Sequence, residues 1–368
     1  MTSLNLPLTD LSQADPGWLT NTLKGNGCLA QGRVTQVTYD VLKHSKHIDI
    51  ARLQVGYSTG AISVIGATLP TTLILKISKA GASAKRSTLF GRREYALYTQ
   101  IAAVMDNPPI ARCYDAASDS QSGKFHFLLE DLSVTHSVPS YPLPPPVLDC
   151  EQIMECLARF HAAWWNDPRI GTKIGRPLLQ ERRSKRATVL QQRAGEFLAV
   201  LGDRVSSARH NALRDACALY PRLLARQNSG ALTITHGDAH YGNFMVAPGR
   251  ADCRIIDWEN WEVGPATDDL AYMIAAQWFA ERRQRLEQDL LRRYHRALVA
   301  SGVQDYSWDT LWNDYRLSAI KHLCTPANQW ADGLSPRSWW NNLERRLASY
   351  EDLGCAEIME QLKRSPAA

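Results

Sequence analysis

Apolar residues change their spacing along this chain, and the change divides it. Val34, Val37, Tyr39 and Val41 are followed by Ile48, Ile50, Leu53, Val55 and Tyr57 in near alternation. Period-two spacing of β-formers predicts two strands, joined by a polar turn around Lys43 to His47. Residues 72–77 predict a third strand with Lys76 inside it, and residues 125–129 a fourth that ends at Glu130, Asp131 and Leu132. Residues 89–104 read as a helix between these two strands. A short helix over residues 15–23 opens the series, with Asp15 as cap, Pro16 in its first turn and Gly25 and Gly27 ending it. Farther on the period lengthens. Ile153, Leu157, Phe160 and Trp164 recur at helical spacing, and further helices are expected over residues 183–201 and 206–226. A strand-rich patch over residues 232–256 interrupts them, and helices follow from Asp269. The Pro- and Ser-rich stretch 137–146 reads as a linker. The pattern predicts an α+β chain with a β-rich first third and a mainly helical remainder.

Composition narrows the function classes. With 45% apolar and 21% charged residues, wholesale disorder is excluded. The 42 Lys and Arg against 37 Asp and Glu leave +5, a weak excess over 368 residues that calls for no nucleic-acid partner. None of the eight Cys forms a C-x-x-C pair or a zinc-ligand spacing, so they read as small buried hydrophobes in a reducing compartment. The N-terminus has no basic start or long apolar core, and the apolar stretch 61–77 is interrupted by Ser63, Pro70, Thr71, Thr72 and Lys76. A cytoplasmic protein with no membrane partner is expected. Ten of the 11 Trp follow residue 163.

The strongest chemical signal is Thr235-His-Gly-Asp-Ala-His-Tyr-Gly-Asn243, followed after a Pro248-Gly249 turn by Arg254-Ile-Ile-Asp257. Strands over 244–246 and 253–256 would make a hairpin with Asn243 at its start and Asp257 at its end. An amide oxygen and a carboxylate brought together suit Mg²⁺ on phosphates. Asp238, on the loop before them, can face a hydroxyl nucleophile. This is the equipment of phosphoryl transfer, in which positioning and electrostatics carry most of the catalysis. His236 and His240 sit four apart on a loop, and structural hydrogen bonds rather than zinc ligation are expected of them.

H-G-D-x4-N with a following I-D resembles the aminoglycoside phosphotransferase and choline kinase superfamily, which shares the protein-kinase fold. Leu-Leu-Glu-Asp-Leu132 with Arg-Glu-Tyr-Ala-Leu-Tyr98 looks most like its ecdysteroid-kinase-like (choline-kinase-like) branch. The resemblance implies a bilobal fold, with an N-terminal antiparallel sheet lobe over residues 1–132 and a larger, mainly helical lobe over 133–368. It implies ATP and Mg²⁺ as cofactors. Lys76 would contact the ATP phosphates, Glu94 would pair with Lys76, and Glu130, Asp131 and Leu132 would form the hinge that meets adenine. Asp238 would be the catalytic base, with Asn243 and Asp257 as metal ligands. Asp269 would brace the catalytic loop, and Asp268 reads as a helix cap. No Gly-rich phosphate loop is present. Only ten residues, 258–267, separate Asp257 from the next helix, too few to present a peptide, so the acceptor is a small-molecule alcohol. From residue 271 onward 13 Lys and Arg face 12 Asp and Glu, with no acidic bias toward a polycationic acceptor. Trp278, Trp308, Trp312, Trp330, Trp339 and Trp340 are enriched there, and some are expected to line a pocket for a ring-bearing alcohol. The alternative from another class is a nucleotide-binding pseudokinase.

Overall fold

Alternating side chains set the first element of the architecture, a five-stranded antiparallel sheet in which the strands run in the order Val34–His44, Ile48–Tyr57, Thr72–Ser78, Phe125–Glu130 and Cys113–Ser118. The computed structural model describes residues 6–64, 68–79, 91–139, 143–174, 180–250 and 252–364. Its strands begin with β1 (Leu29–Gln31), β2 (Val34–His44), β3 (Ile48–Tyr57), β4 (Ile62–Ser63), β5 (Thr72–Ser78), β6 (Cys113–Ser118) and β7 (Phe125–Glu130). Leu73, Leu75 and Ile77 face a core shared with Leu53, Val55 and Leu128, and the helix Pro16–Gly25 adds Leu19 and Leu23 to it. Asp15 caps that helix by accepting a 2.7 Å bond from the Trp18 amide. Because strand side chains alternate, Lys76 lies on the sheet face opposite that core, in register with Ile50 and Phe127. Helical residues 91–96 lie against the sheet where Gly91 leaves room, since a methyl group there would collide with the Phe125 ring. This close approach carries Glu94 toward Lys76.

The chain divides into two compact units: Met1–Ser137 with Ala247–Asn260, and Val138–Val246 with Trp261–Ala368. Residues 247–260 were expected with the helical part but cluster with the sheet. Here β10 (Cys253–Ile255) is tied down by the Ile255 amide on the Pro109 carbonyl at 2.9 Å, and by Arg254 on the carbonyls of Pro108 and Ile110. In the second unit the helix Val147–Ala163 packs along Ala280–Ala300, and Thr267–Met273 packs on Trp308–Leu323. The strand β8 (Thr233–Thr235) pairs antiparallel with β11 (Glu262–Gly264), and β9 is Phe244–Val246.

Three expectations shift. The helix expected over 206–226 is two, Ser207–Ala218 and Tyr220–Asn228. Pro221 lacks an N–H and suits only a first turn, so it starts a new helix rather than continuing the old one. The helix expected over 89–104 is regular over 91–96, then passes into the wider turn Leu97–Ile101 and the tighter Ala102–Val104, while residues 89 and 90 lie outside the described residues. The strands β1, β4, β6 and β11 were not foreseen, being short or half-exposed without clear alternation. The eight Cys are free and all but Cys113 are buried.

Candidate active site

In the first unit the Lys76 side chain is 5% exposed and its Nζ lies 2.7 Å from Glu94 Oε2 and 2.8 Å from Asp257 Oδ1. Glu259 Oε2 is 4.0 Å away. Burial alone would pull the Lys76 ammonium down, but Glu94 and Asp257 outweigh it and hold it well above its ordinary range. Burial pushes Glu94 up to about 7, with Lys76 opposing. Asp257 follows β10 with φ +63°, a left-handed conformation uncommon for any residue but glycine, though more tolerated by Asp. Its side chain is 41% exposed. Trp258, fully buried, anchors the turn by donating Nε1–H to the Ile255 carbonyl at 3.1 Å.

Glu130 ends β7 and accepts a 3.2 Å bond from the Arg112 amide. Asp131 is committed to structure. It takes Arg52 Nε at 2.8 Å and the Ser133 amide at 3.1 Å, capping the turn Leu132–Val134. Burial works against its ionisation, but the Ser133 bonds and the Arg52 guanidinium hold its carboxyl below the usual range. Leu132 is buried. These side chains are therefore engaged within the unit.

In the second unit the loop after β8 is built around one buried carboxylate. Asp269 accepts the amides of His236 at 2.6 Å and Gly237 at 2.9 Å, and lies 3.2 Å from His161 Nε2. His161 Nδ1 in turn meets the Tyr294 hydroxyl at 2.8 Å. Burial alone would raise the Asp269 carboxyl, but His161 and the His236 amide keep it below its ordinary value. The loop turns at Gly237 with φ +78°, which a glycine adopts without strain. Asp238 follows, with its amide on His236 Nδ1 at 3.2 Å. Its Oδ1 accepts a 2.7 Å bond from the Tyr272 hydroxyl, and Oδ2 lies 3.8 Å from His240 Nε2. The side chain is 33% exposed, so part of the carboxylate reaches solvent. Asn243 donates Nδ2–H to the Asp238 carbonyl at 2.9 Å. His240 caps the turn Tyr241–Asn243 through its own Nδ1.

Asp268 is not the helix cap. The helix Thr267–Met273 begins one residue earlier, which puts Asp268 in the first turn. There it pairs with Lys321 Nζ at 2.5 Å and accepts Gln227 Nε2–H at 3.0 Å. His322 Nε2 meets the Asp268 carbonyl at 3.0 Å. Burial lowers the His322 ring to about 4. The folded ring therefore stays neutral while the unfolded chain takes up a proton below about pH 6.5. That contribution to stability is present above pH 6.5 and is lost as pH falls through about 4. Urea unfolding at pH 7 and pH 4.5 is expected to show His322→Gln losing about 1–2 kcal/mol less than the parent over this step. An equal acid loss in both proteins would contradict it.

Sequence reasoning missed Tyr272, although it lies three residues after Asp269 on the same helix face, a spacing that brings both to one loop. The tryptophans differ in their surroundings. Trp278 lines a cavity of about 350 Å³, whereas Trp312 is stacked between Trp308 and Tyr315, and Trp330 packs on Phe197.

Residues 49–309 match the Phosphotransferase enzyme family. The chain belongs to that family. No curated protein sequence matches this phosphotransferase significantly. A candidate aminoglycoside phosphotransferase from Ralstonia eutropha JMP134 covers 92% of the chain and 97% of its own length, at 15% identity and a TM-score of 0.57. A choline/ethanolamine kinase family protein from Mesorhizobium loti covers 89% of the chain and 93% of its own length, at 13% identity and a TM-score of 0.49. The first likeness shows the protein-kinase-like α+β fold. Among the described residues no helix of this phosphotransferase is long and apolar enough to cross a membrane.

Proposed function

We propose that this phosphotransferase moves the γ-phosphate of ATP to a hydroxyl of a small-molecule alcohol, with Mg²⁺ bound. The observation that carries the reading is Asp238, partly exposed, with one carboxylate oxygen held by Tyr272 and the other 3.8 Å from His240. A carboxylate so fixed can orient an acceptor hydroxyl and take its proton as the phosphorus–oxygen bond forms. Lys76, kept cationic by Glu94, supplies a positive charge to phosphate oxygens, and Glu94 fixes its direction. The Asn243 amide oxygen and the Asp257 carboxylate are each a hard donor of the kind Mg²⁺ takes. When bound, the cation neutralises negative charge on the phosphates. With the Asp131 side chain committed to Arg52, the nucleotide base would be met at Glu130 to Leu132 by backbone rather than by that carboxylate. The segment after Asp257 folds into β11 and then directly into the helix Thr267–Met273, which leaves no long segment to present a peptide. Lys76, Glu94, Asp238, Asn243 and Asp257 are all present, which favours catalysis over a pseudokinase role.

The test is ADP release in the presence of ATP, Mg²⁺ and a panel of alcohols. Release is expected to need both metal and acceptor and to fall to background with a chelator. ADP release indifferent to metal and acceptor would contradict the reading.

A further inference from the structure

The cavity beside Trp278 is lined in a way that selects by charge. It lies wholly within the second unit, and its wall includes His240, two residues from Asp238. Its apolar side is flat and aromatic. Tyr241 and Trp278 stack at 5.3 Å with planes 6° apart, and Phe279 and Leu143 are left 63% and 69% exposed. Large apolar side chains exposed together around a concave surface mark a binding site rather than packing. Its polar side is cationic. Arg282 lies 4.7 Å over the Trp278 ring and Arg345 5.0 Å over the Phe279 ring. Arg282 donates from one terminal nitrogen to the Pro145 carbonyl and lies 3.7 Å from Cys150 Sγ, while its Nε has no hydrogen-bond partner among the described residues. The residues lining the cavity include no Asp or Glu.

A third cation stands on the same helix. Arg346 is 2% exposed and donates only to the carbonyls of Ala276 and Asn342, at 3.3 and 3.1 Å. Its Nε has no partner among the described residues. Arg346 is not among the lining residues; the cavity's own wall, with Arg282 and Arg345 and no Asp or Glu, sets a field that favours an anion. A cationic ligand would meet this field unfavourably.

We propose that this cavity binds the acceptor, and that the acceptor is an alcohol with a flat ring and an anionic group such as a carboxylate. This rests on the phosphotransferase reading for its catalytic meaning, but the cavity can be tested without turnover. The ring would lie against the exposed Phe279 and Leu143, the anion would meet Arg282 and Arg345, and the hydroxyl would be left toward Asp238.

Three probes with one ring and one hydroxyl differ only in charge: para-hydroxymethylbenzoate, benzyl alcohol and para-hydroxymethylbenzylamine. Equilibrium dialysis without nucleotide is expected to rank them anionic, neutral, cationic, with the anion favoured over the neutral probe about tenfold or more, as for a charge-assisted hydrogen bond. Arg282→Gln and Arg345→Gln, each checked for an unchanged fold by circular dichroism, are expected to bring that ratio close to one. Equal affinities, a preference for the ammonium probe, no detectable binding of the benzoate, or an unchanged ranking in both variants would overturn the proposal. ADP release is measured in parallel. Turnover of cationic acceptors without anion preference would sink the cavity assignment and leave the kinase reading standing. Ranked binding with no ADP release from any alcohol would support the cavity's charge preference and sink the kinase reading.

Discussion

Asp238→Asn is expected to lower kcat by about 10²–10⁴-fold, the usual share of a positioned proton acceptor. The nucleotide's affinity should stay close to that of the parent, because the loss is confined to the reacting hydroxyl. The substitution keeps an oxygen for the Tyr272 hydroxyl and leaves the backbone carbonyl that Asn243 binds. The loop is therefore expected to hold its shape, and a melting temperature within a degree or two of the parent is the control. A large fall in kcat with unchanged nucleotide binding is the signature of a lost base. A variant turning over at the parental rate would remove Asp238 from that role.

The second large effect is expected at Asp269, which touches no reactant. Its carboxylate is the shared acceptor for two loop amides and a buried imidazole. Asp269→Ala strands all three donors in a region that water does not reach. Breaking a buried charged network of this kind costs about 3–5 kcal/mol. In a chain of this size that is a fall in melting temperature of roughly 10 °C. The variant should also lose activity beyond its unfolded fraction, because Gly237 and Asp238 are no longer fixed. Asp269→Asn separates the two contributions. It keeps one acceptor oxygen but faces one of the donors with an amide N–H, so part of the stability is expected to return while kcat stays depressed. Thermal melts and single-turnover rates on the same samples check both, and a melting temperature unchanged in Asp269→Ala would contradict the bracing role.

Much of this was legible in residue order because certain residues are costly where they stand. Lys76 interrupts an apolar strand, and a lysine there needs carboxylate company, which Glu94 supplies within the same unit. The loop from His236 to Asn243 concentrates hydrogen-bonding side chains between short apolar strands, and its spacing alone singled out Asp238 and Asn243. What the sequence did not reveal lies where function depends on packing between distant segments. Asp131 reads as a hinge carboxylate, yet Arg52, seventy-nine positions away, takes its side chain. Asp268 reads as a cap, yet the helix starts a residue early and Lys321 and Gln227 claim it. Trp312 and Trp330 cannot be told from Trp278 by spacing; only the packing shows which ring is left against open volume. The arginines of the cavity are equally indistinct in the sequence, since Arg282 belongs to a run whose next member, Arg283, is a buried structural partner of Glu287.

The central claim is transfer of phosphate to an alcohol, and the measurement closest to it is phosphorus NMR of the complete reaction. Parent protein with Mg·ATP and an accepted alcohol should convert the γ-phosphate signal into that of a phosphate monoester, in step with ADP, while Asp238→Asn forms almost none. Inorganic phosphate as the only product, or monoester formed equally by both proteins, would contradict the account.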